Sequence, residues 1–196
     1  SLQTLFRSIE KEKAVYCTLA FSYEIANIFD ELVNEYEEKD IREYISSNKK
    51  IILEEIFRRQ PNNIRTLQFV LVVLVNLLRE IYNLEAKSFL EYSELYNKFL
   101  KYIVLRAIQY KINPKVEIDW RNDDFGFISR LDDQDTPENI IWGFKFIDIY
   151  INSSYLDNQL LRNAYENELK LYEDAFLAFN HLADWTQYCD EQVCEI

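Results

Sequence analysis

Residues 60–84 read QPNNIRTLQFVLVVLVNLLREIYNL and hold the longest apolar run in the chain. Pro61 fits a first helical turn, because the N–H that proline lacks would have no partner there. Asn62 or Asn63 can cap the free backbone N–H groups that follow. Two apolar sets then recur at the helical period, on neighbouring faces: Ile64, Leu67, Leu71, Leu74, Leu78 and Tyr82, and Val70, Val73, Leu77 and Ile81. A helix that is apolar over most of its circumference is buried, so this stretch predicts a buried central helix over about 61–84.

One narrow polar stripe interrupts this apolar surface. It consists of Arg65, Gln68, Asn76 and Arg79, with Val72 between them, and these positions share one side of a helix. The stripe is either the solvent-exposed edge of a core helix or a face turned to a ligand or partner. A membrane span is not indicated, since only 13 residues separate Arg65 from Arg79 and a bilayer needs about 20.

Composition excludes several chemistries. The 196 residues contain two glycines, Gly126 and Gly143, which stand far apart. Phosphate-binding loops need several glycines close together, so neither a Walker A loop nor a dinucleotide-binding fingerprint is present. The net charge is −12, and most of the excess falls in residues 101–196, with 9 basic and 18 acidic side chains. Such a balance disfavours nucleic acid as a partner.

Cysteine and histidine usage favours a protein without a metal or catalytic centre. Three cysteines, Cys17, Cys189 and Cys194, form an odd set in a sizeable chain, which favours free thiols and a cytoplasmic location. His181 is the single histidine, so a zinc site with recognisable ligand pairs is not indicated. A nucleophilic enzyme would have to use His181, and this is the one enzymatic alternative that the residues leave open.

These patterns predict a mainly α fold, an irregular helical bundle around the central helix. Short helices are expected with Ser22 and with Asp40 as N-caps, a third helix is expected to begin at Asn48, and an amphipathic helix is expected over 86–112. Near 115–134 the helical apolar period gives way to an alternating pattern, which predicts a small extended or hairpin insert. Later elements are a helix beginning at Asp135 or Thr136, an ambiguous segment 144–151, a helix capped by Ser154 or Asp157, and a last apolar helix over 175–188.

The same change of pattern near residue 115 suggests that the chain is divided into three regions. Residues 1–114 form a helical subdomain that contains the central helix, residues 115–135 form the irregular insert or linker, and residues 136–196 form an acidic helical subdomain. Two glycines and three prolines also fit a mostly helical protein with short connections.

A local basic cluster lies just before the central helix. Lys49, Lys50, Arg58, Arg59 and Arg65 outnumber the neighbouring Glu54 and Glu55. Most clusters of this kind are solvated surface, and the alternative is a bound anionic ligand.

The start of the central helix resembles a known family. Residues 60–67 (QPNNIRTL) are similar to the N-P-R-x-I-K/R-x-hydrophobic helix start of KAP-type P-loop NTPases, a group that includes bacterial and phage-defence ATPases. Residues 143–148 (GFKFID) and 154–157 (SYLD) also resemble the tails of such bacterial proteins. In that family the helix belongs to the helical region packed after the nucleotide-binding core. The resemblance implies that Arg65 senses bound nucleotide, while Asn62 replaces the usual first arginine.

The functional prediction combines these observations. The chain is expected to be a non-catalytic helical module of a larger bacterial NTPase, which couples nucleotide state to a partner or effector through protein–protein contacts. ATP would enter only with the NTPase core, and the chain itself would hold no cofactor. The predicted nucleotide-sensing or interface residues are Arg65, Arg58, Arg59, Asn62 and Gln68. The alternative is a stand-alone cytoplasmic interaction protein, as a dimer through exposed aromatic side chains, of which the chain has many.

Overall fold

The computed structural model describes residues 25–59, 63–85, 87–114, 127–130 and 140–193, and it describes no side chain of a residue in the strands before Gly143 or of α7 beyond residue 177. Within these ranges the helices are α1 (Ile25–Asn34), α2 (Lys39–Ser47), α3 (Lys49–Arg59), α4 (Ile64–Glu85), α5 (Ser93–Ile112), α6 (Lys145–Ser153) and α7 (Asn158–Val193). The strands are β1 (Phe127–Arg130) and β2 (Ile140–Gly143). The prediction of a mainly helical bundle is confirmed.

Helix α4 is the buried centre of this bundle, as its apolar pattern predicts. It packs against α1, α2, α5 and α7. Leu67, Leu71, Leu74 and Leu78 are completely buried. Of the two capping candidates in the sequence, Asn63 is seen to cap the helix, because its Oδ1 accepts the backbone N–H of Thr66 at 3.1 Å. Asn62 lies outside the described residues.

Helices α1, α2 and α3 cover one side of α4 and α5. The predicted cap at Asp40 is wrong: α2 begins at Lys39, and Asp40 lies in its first turn, where a carboxylate is favoured by the helix dipole. Asn48 separates α2 from α3, and its side-chain amide donates to the Tyr44 carbonyl at 3.0 Å. The predicted Ser22 cap lies outside the described residues.

Helix α5 is the second core helix, and it starts later than its pattern predicts. Residues 89–92 form turns, and the helix begins only at Ser93. Within this connection the Tyr96 hydroxyl donates to the Lys87 carbonyl at 3.0 Å, which holds the backbone away from a helical course. The apolar residue Phe89, counted in the helix from the sequence, instead packs its ring against Tyr44 at 4.7 Å.

The two strands lie at and beyond the predicted insert: β1 falls within 115–134, whereas β2 follows it, in the part predicted to be helical. Strand β1 pairs with β2 in antiparallel register, with Phe127 opposite Gly143 and Arg130 opposite Ile140. Residues 115–126 and 131–139 lie outside the described residues, including the predicted helix start at Asp135 or Thr136. A helix continuing from that start is wrong beyond 139, because residues 140–143 are extended and paired. The ambiguous segment 144–151 is helical from Lys145 onward.

Helix α7 is a single helix where the sequence predicts two. It runs from Asn158 to Val193, since no glycine or proline interrupts these residues. Asp157 caps it, as one of the two predicted candidates: its Oδ1 accepts the backbone N–H groups of Gln159 and Leu160, each at 3.1 Å. The prediction of a separate helix over 175–188 is therefore wrong.

One hydrophobic core joins α1 to α7. It includes residues from both sides of the predicted insert, such as Leu74 of α4, Phe99 of α5, Ile147 of α6 and Tyr165 of α7. The division into subdomains at 115–135 stays a prediction, and its two helical parts share this core.

Buried tyrosines make the fold sensitive to alkaline pH. Burial raises the pKa of Tyr44, Tyr96, Tyr36 and Tyr165, because the phenolate is poorly solvated in the core. Tyrosines of the unfolded chain ionise near pH 10. The stability associated with a raised folded-state pKa is complete below that pH and is lost above it.

We therefore expect the free energy of unfolding to fall steadily above about pH 10. Phenolate absorbance near 295 nm and helical circular dichroism should be followed together along an alkaline titration. Part of the phenolate signal should rise only as the helical signal is lost, whereas the chain in concentrated urea should titrate in one simple step. Complete ionisation of all tyrosines with an unchanged helical signal would contradict this expectation.

Candidate functional site

The polar stripe of α4 divides into two halves. In the second half, Asn76 donates to the Tyr150 hydroxyl at 3.1 Å and Arg79 Nε donates to Glu38 at 2.5 Å. These bonds attach α4 to α6 and to the α1–α2 connection. In the first half, Arg65 and Gln68 are exposed to solvent. Only this first half offers side chains to a partner.

The basic cluster before α4 is largely matched by acidic neighbours. Lys49 Nζ lies 2.7 Å from Asp30 and 5.5 Å from the centre of the Phe29 ring. Arg58 and Arg59 both lie within 4 Å of the Glu55 carboxylate. Arg65 is exposed, and among the described residues its side chain makes no ion pair.

The described residues of the predicted nucleotide-sensing set lie at the end of α3 and at the start of α4. Arg58 and Arg59 end α3, while Arg65 and Gln68 lie in the first turns of α4. Asn62 lies outside the described residues. The set is adjacent in the chain. Arg58 and Arg65 are both exposed, and Arg58 lies near Glu55. The nucleotide-sensing role stays a prediction.

The strongest polar contact in the core joins Arg106 of α5 to Asp148 of α6. Arg106 Nε donates to Asp148 Oδ1, and the Tyr102 hydroxyl donates to Asp148 Oδ2 at 2.9 Å. Arg106 Nη1 also donates to Gln109 at 2.5 Å. Burial outweighs the attraction of Arg106 and the bond from Tyr102, and it raises the pKa of the Asp148 carboxyl. Both carboxylate oxygens are occupied, so this pair links helices.

Sequence reasoning did not identify this pair as a contact. The available signal was a lone aspartate within the apolar segment 144–151. A buried carboxylate needs a cationic or hydrogen-bonding partner, but spacing along the chain does not say which of the basic residues supplies it.

The described side chains contain no group of three or more histidine, cysteine, aspartate or glutamate residues arranged to hold a metal ion. His181, Cys17, Cys189 and Cys194 lie outside the described side chains. No helix in the described part of the chain has both the length and the apolar character that a membrane crossing needs.

An apolar surface is exposed on α7 where that helix leaves the bundle. Leu161, Tyr165 and Leu169 are buried against the other helices. Phe176 lies seven residues after Leu169 and eleven after Tyr165, so it continues the same face. Phe176 is nevertheless 57% exposed.

Two leucines close to Phe176 in the chain are exposed on other sides of the helix. Leu171 and Leu177 are 58% and 56% exposed, and we call the three residues Leu171, Phe176 and Leu177 the outer α7 surface. Among the described side chains, contacts beside this surface attach α7 to the connection before α5. The Tyr172 hydroxyl donates to the Glu91 carbonyl at 3.1 Å, and Lys87 Nζ lies 3.1 Å from Glu173.

The part of α7 beyond these contacts is long. Residues 174–193 remain helical, which at 1.5 Å per residue corresponds to about 30 Å. Glu173 and Asp174 are exposed beside the outer α7 surface. This part of α7 therefore presents apolar side chains next to acidic ones.

Comparisons with protein-family models, with curated proteins and with solved structures found no match to this chain.

Proposed function

We propose that this chain is a protein-binding helical module, and that the outer α7 surface is its docking element. The observation that carries the proposal is the continuation of one apolar helix face from the core into solvent. Leu169 packs in the bundle, and Phe176, two turns later, is 57% exposed. Single exposed apolar residues are ordinary on a protein surface, whereas here three large apolar side chains are exposed within seven consecutive residues of one helix.

The acidic border defines the partner. Glu173 and Asp174 flank the apolar residues, and like charges across an interface are costly. The complementary surface is an apolar groove or helix face with basic residues at its rim. A partner protein of this kind fits better than a second copy, because a second copy would bring the same acidic side chains to the contact.

Association with a P-loop NTPase is the more specific form of this proposal. It is supported by the family resemblance at 60–67 and by Arg65, which is exposed in the first turn of α4. An arginine at such a position forms charge-assisted hydrogen bonds to phosphate oxygens. The NTPase core would supply the nucleotide, and α7 would deliver the response to an effector. A gene that encodes no P-loop upstream of Ser1 would contradict this form.

A site-specific photo-crosslinker tests the docking element. Benzoylphenylalanine in place of Phe176, in cells of the source organism, should crosslink to one defined partner protein. The same group in place of Phe57, another exposed phenylalanine, should not. Equal crosslinking at both positions, or none at Phe176, would contradict the proposal. A crosslink between two copies would replace the partner protein with a homo-oligomer.

Substitution of the same residues should abolish the interaction. The triple variant Leu171→Ser, Phe176→Ser and Leu177→Ser should bind the crosslinked partner at least about 30-fold more weakly, because truncated apolar anchors cost about 2 kcal/mol or more. The control is Phe57→Ser, Val72→Ser and Ile112→Ser, which removes three other exposed apolar side chains. It should bind within about twofold of the unaltered protein. Calorimetry with the purified partner provides both affinities.

A further inference from the structure

A cavity of about 670 Å³ lies between α2, the end of α4, the connection before α5 and the start of α5. Its walls include Asp40, Glu43, Tyr44, Tyr82, Phe89 and Asn97. This volume is in the range of pockets that hold small molecules. The cavity is separate from the outer α7 surface and from the Arg106–Asp148 pair.

An aromatic stack forms one wall of the cavity. The Phe89 ring lies between Tyr44 and Tyr82, with centroid distances of 4.7 and 5.1 Å and interplanar angles of 16° and 15°. The Tyr44 hydroxyl donates to Asn97 Oδ1 at 2.7 Å, which fixes the ring across α2 and α5. The wall is therefore preformed. Phe89 is covered on both faces and is 6% exposed, so the apolar surface open to a ligand chain is that of Tyr82 and of the exposed Leu90, which also lines the cavity.

Helix α2 gives the other side of the cavity an acidic character. Asp40 and Glu43 are three residues apart, so their side chains lie on the same face of the helix, and both are exposed. No lysine or arginine is among the described residues that line the cavity. The Tyr82 hydroxyl lies 3.4 Å from Asp40 Oδ2 and connects the carboxylate to the aromatic wall.

The basic side chains around the cavity either contact groups outside it or form only weak surface ion pairs with its carboxylates. Arg42 donates to the Tyr36 carbonyl at 3.1 Å, and Lys87 lies 3.1 Å from Glu173. Lys39 approaches Glu43 at 3.7 Å, but both side chains are mostly exposed. Surface pairs of this kind contribute little, so a cationic ligand can displace Lys39 from Glu43.

The remaining lining groups also suit a donor-rich ligand. Ser47, Ser88 and Ser93 contribute hydroxyl oxygens, which accept hydrogen bonds as carboxylates do. An ammonium group has three donors and no acceptor. The cavity thus combines two carboxylates, several acceptor oxygens and an apolar wall long enough for a methylene chain.

We propose that this cavity binds a small aliphatic diamine. One ammonium group lies at Asp40 and Glu43, the methylene chain packs along Tyr82 and Leu90, and the second ammonium group is held by the serine hydroxyls. The proposal does not depend on the docking role of α7, because the two surfaces share no residue.

Calorimetry with 1,5-diaminopentane tests the ligand class. The matched controls are 1,5-pentanediol and glutarate, which have the same chain length but are neutral and anionic. The diamine should bind at least tenfold more tightly than either control, and the affinity should fall as salt is added. Absence of diamine binding, or equal binding of the three compounds, would overturn the proposal.

Substitutions test the location. Asp40→Asn with Glu43→Gln should weaken diamine binding at least tenfold, whereas Glu31→Gln with Glu80→Gln makes the same charge change at exposed positions outside the cavity and should stay within twofold. Lys39→Gln should strengthen binding, because it removes the competing cation from Glu43. Ser88→Trp should block the cavity. Equal losses in the Asp40/Glu43 and Glu31/Glu80 variants would show nonspecific charge attraction and would overturn the assignment.

A lysine side chain from a peptide carries the same ammonium chemistry. An acetylated, amidated pentapeptide with one central lysine and four glycines provides that arm of the experiment. Tighter binding of the peptide than of the diamine would overturn the free diamine as ligand and would identify a lysine-bearing chain in its place.

Discussion

Replacement of Arg106 by methionine is expected to lower the free energy of unfolding by about 3–5 kcal/mol, because it leaves the Asp148 carboxylate buried without its cation. The two side chains are 2% and 6% exposed, so water cannot substitute for the lost partner. Urea unfolding followed by circular dichroism measures the change. The control is Arg162→Met, which removes an exposed pair with Glu166 and should cost less than about 1 kcal/mol.

A double variant and a pH series separate charge from packing. Arg106→Met combined with Asp148→Leu should recover most of the lost stability, since a buried ion pair replaced by apolar groups is often neutral or stabilising. The defect of Arg106→Met alone should shrink as the pH falls through the pKa of Asp148, because protonation removes the unpaired charge. A loss below about 1 kcal/mol in the single variant would show that the pair is dispensable.

Truncation of Leu74 to alanine is expected to lower the free energy of unfolding by about 2–5 kcal/mol. Leu74 is completely buried in the middle of α4, and the helix contacts four other helices, so the surroundings can close the resulting cavity only in part. For a chain of this size the melting temperature should fall by about 2–4 °C for each kcal/mol lost. Thermal unfolding followed by circular dichroism measures it.

The same helix provides a matched control. Val72 lies two residues away on the polar stripe and is 49% exposed, so Val72→Ala should change stability by no more than about 0.5 kcal/mol. Equal losses at the two positions would mean that α4 is not oriented with Leu74 towards the core. That result would contradict the central place of α4 in the fold.

The sequence alone was sufficient for the central helix. Its apolar period is a local property, and burial of α4 follows from the near absence of a polar face. Helix ends were partly predictable for the same reason. Asn63 and Asp157 cap their own helices through bonds spanning two or three residues. Aspartate is also a common capping residue, but Asp40 lies two positions after the N-cap residue, Glu38.

Local pattern could not give the course of the segment before α5. Phe89 falls on the helical period with Tyr92 and Tyr96, yet residues 89–92 form turns. The alternative course is stabilised by contacts with α2 and α4, where Phe89 stacks between Tyr44 and Tyr82. Tertiary packing of the Phe89 ring outweighed a modest helical preference of this segment. The aromatic wall of the cavity results from the turn conformation of residues 89–92.

From the residues alone it followed that the chain is mainly helical and that α4 is buried. The packing of the helices was needed to show which residues of α7 are buried against the other helices, that Arg106 pairs with Asp148 across 42 residues, and that α2 and the segment 82–97 line one cavity. Period and capping act within a few residues, so they can be read from the chain. Contacts between distant residues depend on how all helices pack together, and no spacing along the chain specifies them.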